Sequence, residues 1–161
     1  MGRVLSIDYG VRRTGLAVTD PLQIIAGGLD TVPTHQLMDY LKKYVEREPV
    51  ERFVMGLPKQ TNGRDSDNLP RVKAFAARLA KQFPAIPIEL WDERYTSVLA
   101  HQTMLEGGLG KKARQNKALV DEISAVIILQ GWMERRRASE PVAHDKRHRR
   151  AESQPVIHYI I

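Results

Sequence analysis

The 161-residue chain contains no cysteine. Disulfides, thiolate metal sites and cysteine nucleophiles are therefore excluded, and the composition is compatible with the reducing cytosol. No apolar run reaches the roughly 18 residues of a membrane-spanning helix, and no apolar leader precedes the first strand-like segment. We expect a cytoplasmic protein that makes no membrane contact.

Aromatic residues make up only 6% of the chain. Trp91 and Trp132 stand apart from other aromatics, whereas proteins that stack single-stranded bases present rows of them. We therefore predict that both tryptophans belong to the core or its boundary. The five histidines also lack the spacing of a helical metal-ligand pair, so none is a candidate ligand.

Positive charge is plentiful, with a formal net charge of +6. Lysine and arginine that neutralise phosphates release counterions and so favour a polyanionic partner. Much of the excess lies in Arg135–Arg137 and Lys146–Arg150. These blocks are equally typical of a solvated helix end and a tail, so the charge alone does not establish nucleic-acid binding.

With 42% hydrophobic residues, the chain has material for one ordinary core. Apolar runs predict strands at Arg3–Asp8, Gly15–Thr19, Ile24–Val32, Arg52–Leu57 and Ile86–Trp91. Helical periodicity predicts helices at Thr34–Glu48, Leu69–Gln82 and Ser97–Glu106, and a largely apolar helix that ends near Arg137. Thr34 is the predicted N-cap of the first helix.

The order of these elements predicts an α/β fold. Three strands in hairpin succession form an antiparallel meander, and the later strands extend it in parallel, so that helices flank a mixed sheet. We expect one domain over residues 1–137. Residues 138–161 read as a polar linker followed by a short strand-like extension that closes the sheet edge or pairs with another copy.

Acidic residues occur where the predicted strands end. Asp8 closes the first strand, and Asp92 and Glu93 follow the last one. If these strands are neighbours, the carboxylates lie side by side at the edge where α/β sheets hold their ligands. Asp121, at the head of the long apolar helix, could then reach across the gap.

Each of these acids also has a simpler interpretation. Asp8 could be a turn residue, and Glu93 with Arg94 a surface ion pair of little energetic weight. Asp121 could be a first-turn acid that interacts with the helix dipole. The boundaries of its helix decide that question.

Four motifs in order resemble the YqgF family of ribonuclease-H-like nucleases, described as Holliday-junction resolvases and as pre-16S ribosomal RNA processing nucleases. The resemblance covers Arg3 to about Met133. The motifs are Asp8-Tyr9-Gly10 through Gly15-Leu16-Ala17, Gly56-Leu57-Pro58 with Asn62-Gly63, Asp92-Glu93-Arg94-Tyr95-Thr96-Ser97, and Asp121 ahead of Ala125-Val126-Ile127-Ile128-Leu129-Gln130. Ser124 departs from the family, which usually has alanine there.

The resemblance implies a ribonuclease-H-like fold and a nuclease that depends on Mg²⁺ or Mn²⁺. In this picture Asp8, Glu93 and Asp121 are the catalytic residues and hold two ions. Hard divalent cations prefer such oxygen ligands, and a pair of ions suits an in-line displacement at phosphorus. The residues expected to contact nucleic acid are Arg12, Arg13, Arg94, Lys111, Lys112, Arg114 and Lys117.

The resemblance favours 5′-end maturation of pre-16S rRNA, with resolution of four-way DNA junctions as the alternative. The partner is then structured RNA or branched DNA. A monomer suffices for RNA trimming, whereas a symmetric junction favours a homodimer.

Two other classes of function stay open. The spacing from Asp8 to Gly15 also resembles the phosphate loop of actin-like ATPases and sugar kinases, although those enzymes bind nucleotide between two such domains. The chain could otherwise be a non-catalytic factor that binds nucleic acid on the transcription or ribosome machinery. Carboxylates that face phosphates without metal would weaken such binding.

Overall fold

The protein is described by a computed structural model over residues 2–57, 68–92, 117–139 and 157–160. The strands are β1 (Arg3–Asp8), β2 (Arg13–Thr19), β3 (Ala26–Pro33), β4 (Val50–Leu57), β5 (Ile88–Asp92) and β6 (Ile157–Ile160). The helices are α1 (Leu37–Arg47), preceded by a 3₁₀ turn at Thr34–Gln36, α2 (Leu69–Gln82) and α3 (Lys117–Ser139). The predicted helix at Ser97–Glu106 lies outside the described residues.

The six strands form one mixed sheet in the order β3-β2-β1-β4-β5-β6. Strands β1, β2 and β3 pair antiparallel, as the meander prediction requires. Strands β4, β5 and β6 extend the sheet in parallel. The predicted mixed sheet is confirmed, and β6 occupies its edge, while the proposed division at residue 137 stays a prediction.

One expectation about the sheet was wrong. Strands β1 and β5 are not neighbours, because β4 lies between them and pairs with both. The register joins Ile7 to Met55 and Leu57 to Asp92. Asp8 and Asp92 therefore end strands that are separated by the width of a third strand.

The two faces of the sheet carry separate hydrophobic layers, because alternate residues of a strand point to opposite sides. Helices α1 and α2 cover one face, where Leu5, Ile7 and Phe53 belong to the larger core cluster. Helix α3 covers the other face. Its apolar residues pack on small or branched side chains of the sheet, and this cluster comprises Val4, Ala17, Val54, Ala125, Ile128, Leu129, Trp132 and Met133.

The loop between β2 and β3 differs from its prediction. Strand β3 begins at Ala26 and not at Ile24, because Asp20 organises the preceding residues. Its carboxylate accepts hydrogen bonds from the backbone N–H groups of Leu22, Ile24 and Ile25, at 3.1, 2.7 and 2.8 Å. These amides are thereby diverted from strand pairing, and all three apolar side chains are left exposed to solvent.

Thr34 does not cap the first helix as predicted. Its hydroxyl donates to the Gly10 carbonyl at 2.6 Å, and no side-chain hydrogen bond caps the 3₁₀ turn. The Thr34 N–H donates to the Arg12 carbonyl at 2.9 Å. Thr34 thus ties the start of the helical segment to the turn between β1 and β2.

A charged cluster joins β4, β5 and α3 at the opposite end of the sheet from Asp8. Glu89 accepts hydrogen bonds from Arg52 and from the indole N–H of Trp132. The Arg52 and Glu89 side chains are only 23% and 14% exposed. Buried charges of this kind depend on their partners, because neither is well hydrated.

Candidate active site

The candidate site lies where β1 ends and α3 crosses it. Val4, Ser6 and Asp8 alternate along β1, so their side chains share the face that α3 covers. Val4 belongs to the α3 cluster, and the Ser6 hydroxyl donates to the Ala125 carbonyl at 2.6 Å. The same periodicity directs Asp8 towards the beginning of α3.

Asp121 is the acid that α3 presents to this strand end. The helix begins at Lys117, and its first turn holds no acidic residue. The interpretation of Asp121 as a first-turn acid is therefore wrong. Its side chain is 26% exposed, and its carboxylate lies near enough to Asp8 to act on it electrostatically.

Burial and charge together raise the pKa of Asp8 from 3.8 to about 7. The larger cause is burial, because a carboxylate removed from water loses hydration. The smaller cause is repulsion by the charge of Asp121. The two acids thus form a pair whose full ionisation is costly without a compensating cation.

Arg13 supplies part of that compensation. Its Nε–H donates to Oδ2 of Asp121 at 2.9 Å. The Arg13 side chain is 40% exposed, so it also faces solvent and anything that approaches from it. Arg12, the preceding residue, is exposed as well.

The turn that carries these arginines is held from two sides. Thr34 binds its Gly10 and Arg12 carbonyls, as described above. On the other side, Asn68 donates its amide N–H to the Tyr9 carbonyl at 2.9 Å. The Tyr9 ring packs on Phe75 of α2 with a centroid distance of 5.1 Å. Asp8 therefore ends a strand whose exit is fixed by α2 and by the segment ahead of α1.

Of the predicted metal ligands, the structure brings Asp8 and Asp121 together. Glu93 lies outside the described residues, as do the predicted phosphate-binding residues Arg94, Lys111, Lys112 and Arg114. Lys117 begins α3. Over the described ranges, no group of three acidic or histidine side chains forms a ready-made metal site. The donors that are present fit a hard divalent cation, because both are carboxylates and they repel each other without one.

Sequence reasoning missed three supporting residues. It did not find the contact of Asn68 with Tyr9, and it gave Thr34 a different role. It also treated Arg13 only as a phosphate ligand, although Arg13 pairs with Asp121. Alternation along β2 could have placed Arg13 on the same face as Gly15, but nothing local to Asp121 reveals its partner.

A family model described as RuvX, Holliday junction resolvase, matches residues 2–135. The chain belongs to the RuvX/YqgF family. Curated relatives of this RuvX/YqgF chain include a protein of Phocaeicola vulgatus named "Putative pre-16S rRNA nuclease". That protein is 64% identical over 134 residues, which are 83% of this chain and 96% of the relative. A protein of Porphyromonas gingivalis with the same name is 60% identical over 83% of this chain and 97% of its own length.

Solved structures place the RuvX/YqgF chain in a fold class. Thermus thermophilus RuvC matches with a TM-score of 0.53 and 16% identity, over 85% of this chain and 97% of that one. RuvC of T. thermophilus in complex with a Holliday junction substrate matches with a TM-score of 0.51 and 19% identity, over 83% and 96%. The fold is ribonuclease-H-like, as the sequence resemblance implied.

Proposed function

We propose that this protein is a divalent-metal-dependent nuclease that hydrolyses phosphodiester bonds in structured nucleic acid. The observation that carries the proposal is the acidic pair, in which burial and Asp121 raise the pKa of Asp8 to about 7. Such a pair is stabilised when a cation neutralises both carboxylates. Oxygen ligands of this kind suit Mg²⁺ or Mn²⁺.

Asp8 and Asp121, together with Glu93, would hold the metal, in keeping with the two ions implied by the family. When bound, such ions activate water as the nucleophile and stabilise charge on the leaving oxygen. The protein's own contribution is positional. Strand β1 and helix α3 fix the two described carboxylates, and the turn beyond Asp8 is secured by Asn68 and Thr34.

The basic residues near this pair would bind the phosphate backbone. Arg12 is exposed and Arg13 is partly so, and both follow the strand that carries Asp8. We propose that Arg13 contacts the phosphate when the metal takes over its role beside Asp121. Arg94, Lys111, Lys112, Arg114 and Lys117 are proposed to extend the basic surface.

The substrate we favour is precursor 16S rRNA, with cleavage at its 5′ end. Relatives at 60% identity or more, matched over nearly their whole length, carry the name of a pre-16S rRNA nuclease. Ribosome precursors are cytoplasmic in bacteria, so this function would place the protein there. Trimming an RNA end requires one such metal site, which a monomer would supply.

A four-way DNA junction is the second candidate substrate. The family model carries a Holliday junction resolvase description, and one RuvC neighbour was solved with a junction. Cutting two strands of a symmetric junction requires two sites and therefore favours a homodimer. A chain that remains monomeric at working concentration and with junction DNA would count against this candidate.

The decisive experiment compares cleavage of a labelled 5′ pre-16S rRNA fragment and a four-way DNA junction. Each substrate is incubated with Mg²⁺, Mn²⁺ or EDTA. The proteins are the wild type, Asp8→Asn, Asp121→Asn and the control Asp39→Asn. Asp39 is exposed on α1, on the other face of the sheet, so its substitution removes an equal charge away from the site.

We expect metal-dependent cleavage by the wild type and by Asp39→Asn, and at least a hundredfold slower cleavage by the two site variants. The RNA should be cut in preference to the junction. Binding of either substrate without cleavage under every condition would replace the proposal with the non-catalytic factor. Equal losses in all three variants would show that charge and not the site is responsible.

A further inference from the structure

Helix α3 approaches strand β2 so closely at Gly15 that no side chain fits between them. A Cβ atom at this position would lie 2.1 Å from the Asp121 carbonyl oxygen and 2.4 Å from its carbonyl carbon. These are backbone atoms, so no change of rotamer relieves the overlap. Either the helix or the strand would have to move, because packed elements leave little free space.

The conformation of Gly15 does not itself require glycine. Gly15 lies inside β2, and its φ angle is outside the left-handed region. An L side chain would therefore be compatible with its backbone. Glycine is required here by the proximity of α3 alone.

The position of Gly15 links it to both acids. Gly15 is the register partner of Asp8 across the antiparallel β1–β2 pair. Residues directly opposite each other in such a pair project from the same face of the sheet. The gap left by the missing side chain is therefore next to Asp8, and the Asp121 backbone fills it.

We propose that Gly15 is a positioning residue that sets the separation of Asp8 and Asp121. This inference rests on the proposed metal-dependent nuclease, because it assigns the spacing of that site to β2. A methyl group at position 15 lifts the start of α3 from the sheet and carries Asp121 away from Asp8. A divalent cation would then be held by Asp8 without Asp121, so its affinity would fall.

Two other glycines provide matched controls on the neighbouring strand β3. A Cβ atom at Gly28 would lie 2.0 Å from Oε1 of Glu122 and 2.8 Å from its Cδ and Cγ, all of them side-chain atoms that a change of rotamer can move without displacing the backbone. A Cβ atom at Gly27 would have nothing within 4 Å. The three glycine-to-alanine changes are chemically identical, and only the one at Gly15 meets the backbone of Asp121.

The test is the affinity for Mn²⁺, measured by calorimetric titration of the wild type, Gly15→Ala, Gly28→Ala and Gly27→Ala. We expect the dissociation constant of Gly15→Ala to rise at least tenfold. The other two variants should remain within about twofold of the wild type. A Gly15→Ala variant that binds Mn²⁺ as the wild type does would overturn the proposal.

A second readout needs no metal and separates this inference from the proposed function. The Arg13 Nε–H donates to Asp121, so its NMR signal reports where Asp121 lies. We expect this signal to shift or exchange rapidly in Gly15→Ala and to be unchanged in Gly27→Ala. If the wild type neither binds Mn²⁺ nor cuts nucleic acid, the nuclease proposal fails, while an unchanged Arg13 signal in Gly15→Ala refutes the role of Gly15.

Ser6 supplies the test if Gly15→Ala does not fold. Its hydroxyl attaches α3 to β1 at Ala125, about one helical turn beyond Asp121. The variant Ser6→Ala loosens that attachment without crowding the helix. We expect its Mn²⁺ affinity to remain within about twofold of the wild type. A tenfold loss of Mn²⁺ affinity would show that the attachment at Ala125, and not the contact at Gly15, sets the separation of Asp8 and Asp121.

Discussion

Asp8 makes the stability of the metal-free protein depend on pH. Its pKa is raised from 3.8 to about 7, so between these values the folded protein retains a proton that the unfolded chain has released. Stability therefore falls as the pH rises through this window, by at most about 4 kcal/mol. Asp8→Asn abolishes this dependence.

We expect Asp8→Asn to be more stable than the wild type at pH 8 and similar to it at pH 4. Urea unfolding in EDTA measures both, with Asp39→Asn as the control for loss of an exposed charge. A less stable Asp8→Asn variant at pH 8 would mean that the Asp8 carboxylate is better compensated than its surroundings indicate.

Arg13 should have opposite effects on the affinities for the two proposed ligands, the divalent cation and RNA. Its charge beside Asp121 competes with a cation, whereas the same charge attracts phosphate. We expect Arg13→Gln to bind Mn²⁺ about threefold more tightly and RNA several-fold more weakly. Its free energy of unfolding should change by less than about 1 kcal/mol, because the ion pair is partly exposed.

Arg12→Gln is the matched control for Arg13. It removes the same charge from the same turn, but no hydrogen bond to Asp121 is lost with it. Calorimetry with Mn²⁺ and filter binding of RNA should show weaker RNA binding alone. If both variants change Mn²⁺ affinity equally, the effect is general electrostatics and not the contact with Asp121.

At the scale of elements, the loop from β2 to β3 depends on Asp20. The hydrogen bonds that its carboxylate accepts from backbone N–H groups lower the pKa of Asp20. The ionised carboxylate therefore stabilises the loop at neutral pH, and this stabilisation is lost as the pH falls through the lowered pKa. We expect Asp20→Ala to lower the hydrogen-exchange protection factors at Leu22, Ile24 and Ile25, while the wild type loses this protection only in acid. Equal protection in Asp20→Ala would contradict this account.

The cluster of Glu89 predicts a non-additive pair of substitutions. Arg52→Met leaves Glu89 buried without its cation and should cost about 2–4 kcal/mol. The double variant Arg52→Met with Glu89→Gln should recover most of that loss, because a neutral amide oxygen still accepts the Trp132 N–H. Urea unfolding of both single variants and the double variant measures the coupling. Additive losses would show that the two charges act independently.

Helices and strands are predictable from the sequence where the residues that determine them lie within the element itself. The bounds of β1 and α2 agree with the prediction, since an apolar run and a helix with Pro70 in its first turn are local signals. The β-branched residues Ile24 and Ile25 favour a strand, but their backbone N–H groups donate to the Asp20 carboxylate and not to a neighbouring strand. Local propensity could not reveal this competition.

The site could be predicted only in part for a similar reason. Motifs placed Asp8 and Asp121 as candidates, and the fold brings them together. The position of β4 between β1 and β5 depends on a crossover that has no signature in the strands themselves. The closeness of α3 to Gly15 likewise involves residues 106 positions apart in the chain and appears only after folding.

At the scale of the whole molecule, a bound cation should stabilise the fold. Ligands that bind only the native state add about 2.7 kcal/mol at a hundredfold excess over the dissociation constant. For a chain of this size we expect Mn²⁺ to raise the melting temperature by about 5–10 °C. Thermal unfolding should show this rise in the wild type and in Asp39→Asn, and little or none in Asp8→Asn. An equal rise in all three would place the cation elsewhere.

Helix α3 is translated long after the sheet it covers. The hydrogen bond from Ser6 to Ala125 spans 119 positions, so α3 can pack on β1, β2 and β4 only after residues 117–139 have left the ribosome. The opposite face can be closed earlier by α1 and α2. A nascent chain that has not yet released residues 117–139 therefore holds Asp8 without Asp121, so the acidic pair forms only after translation has passed α3.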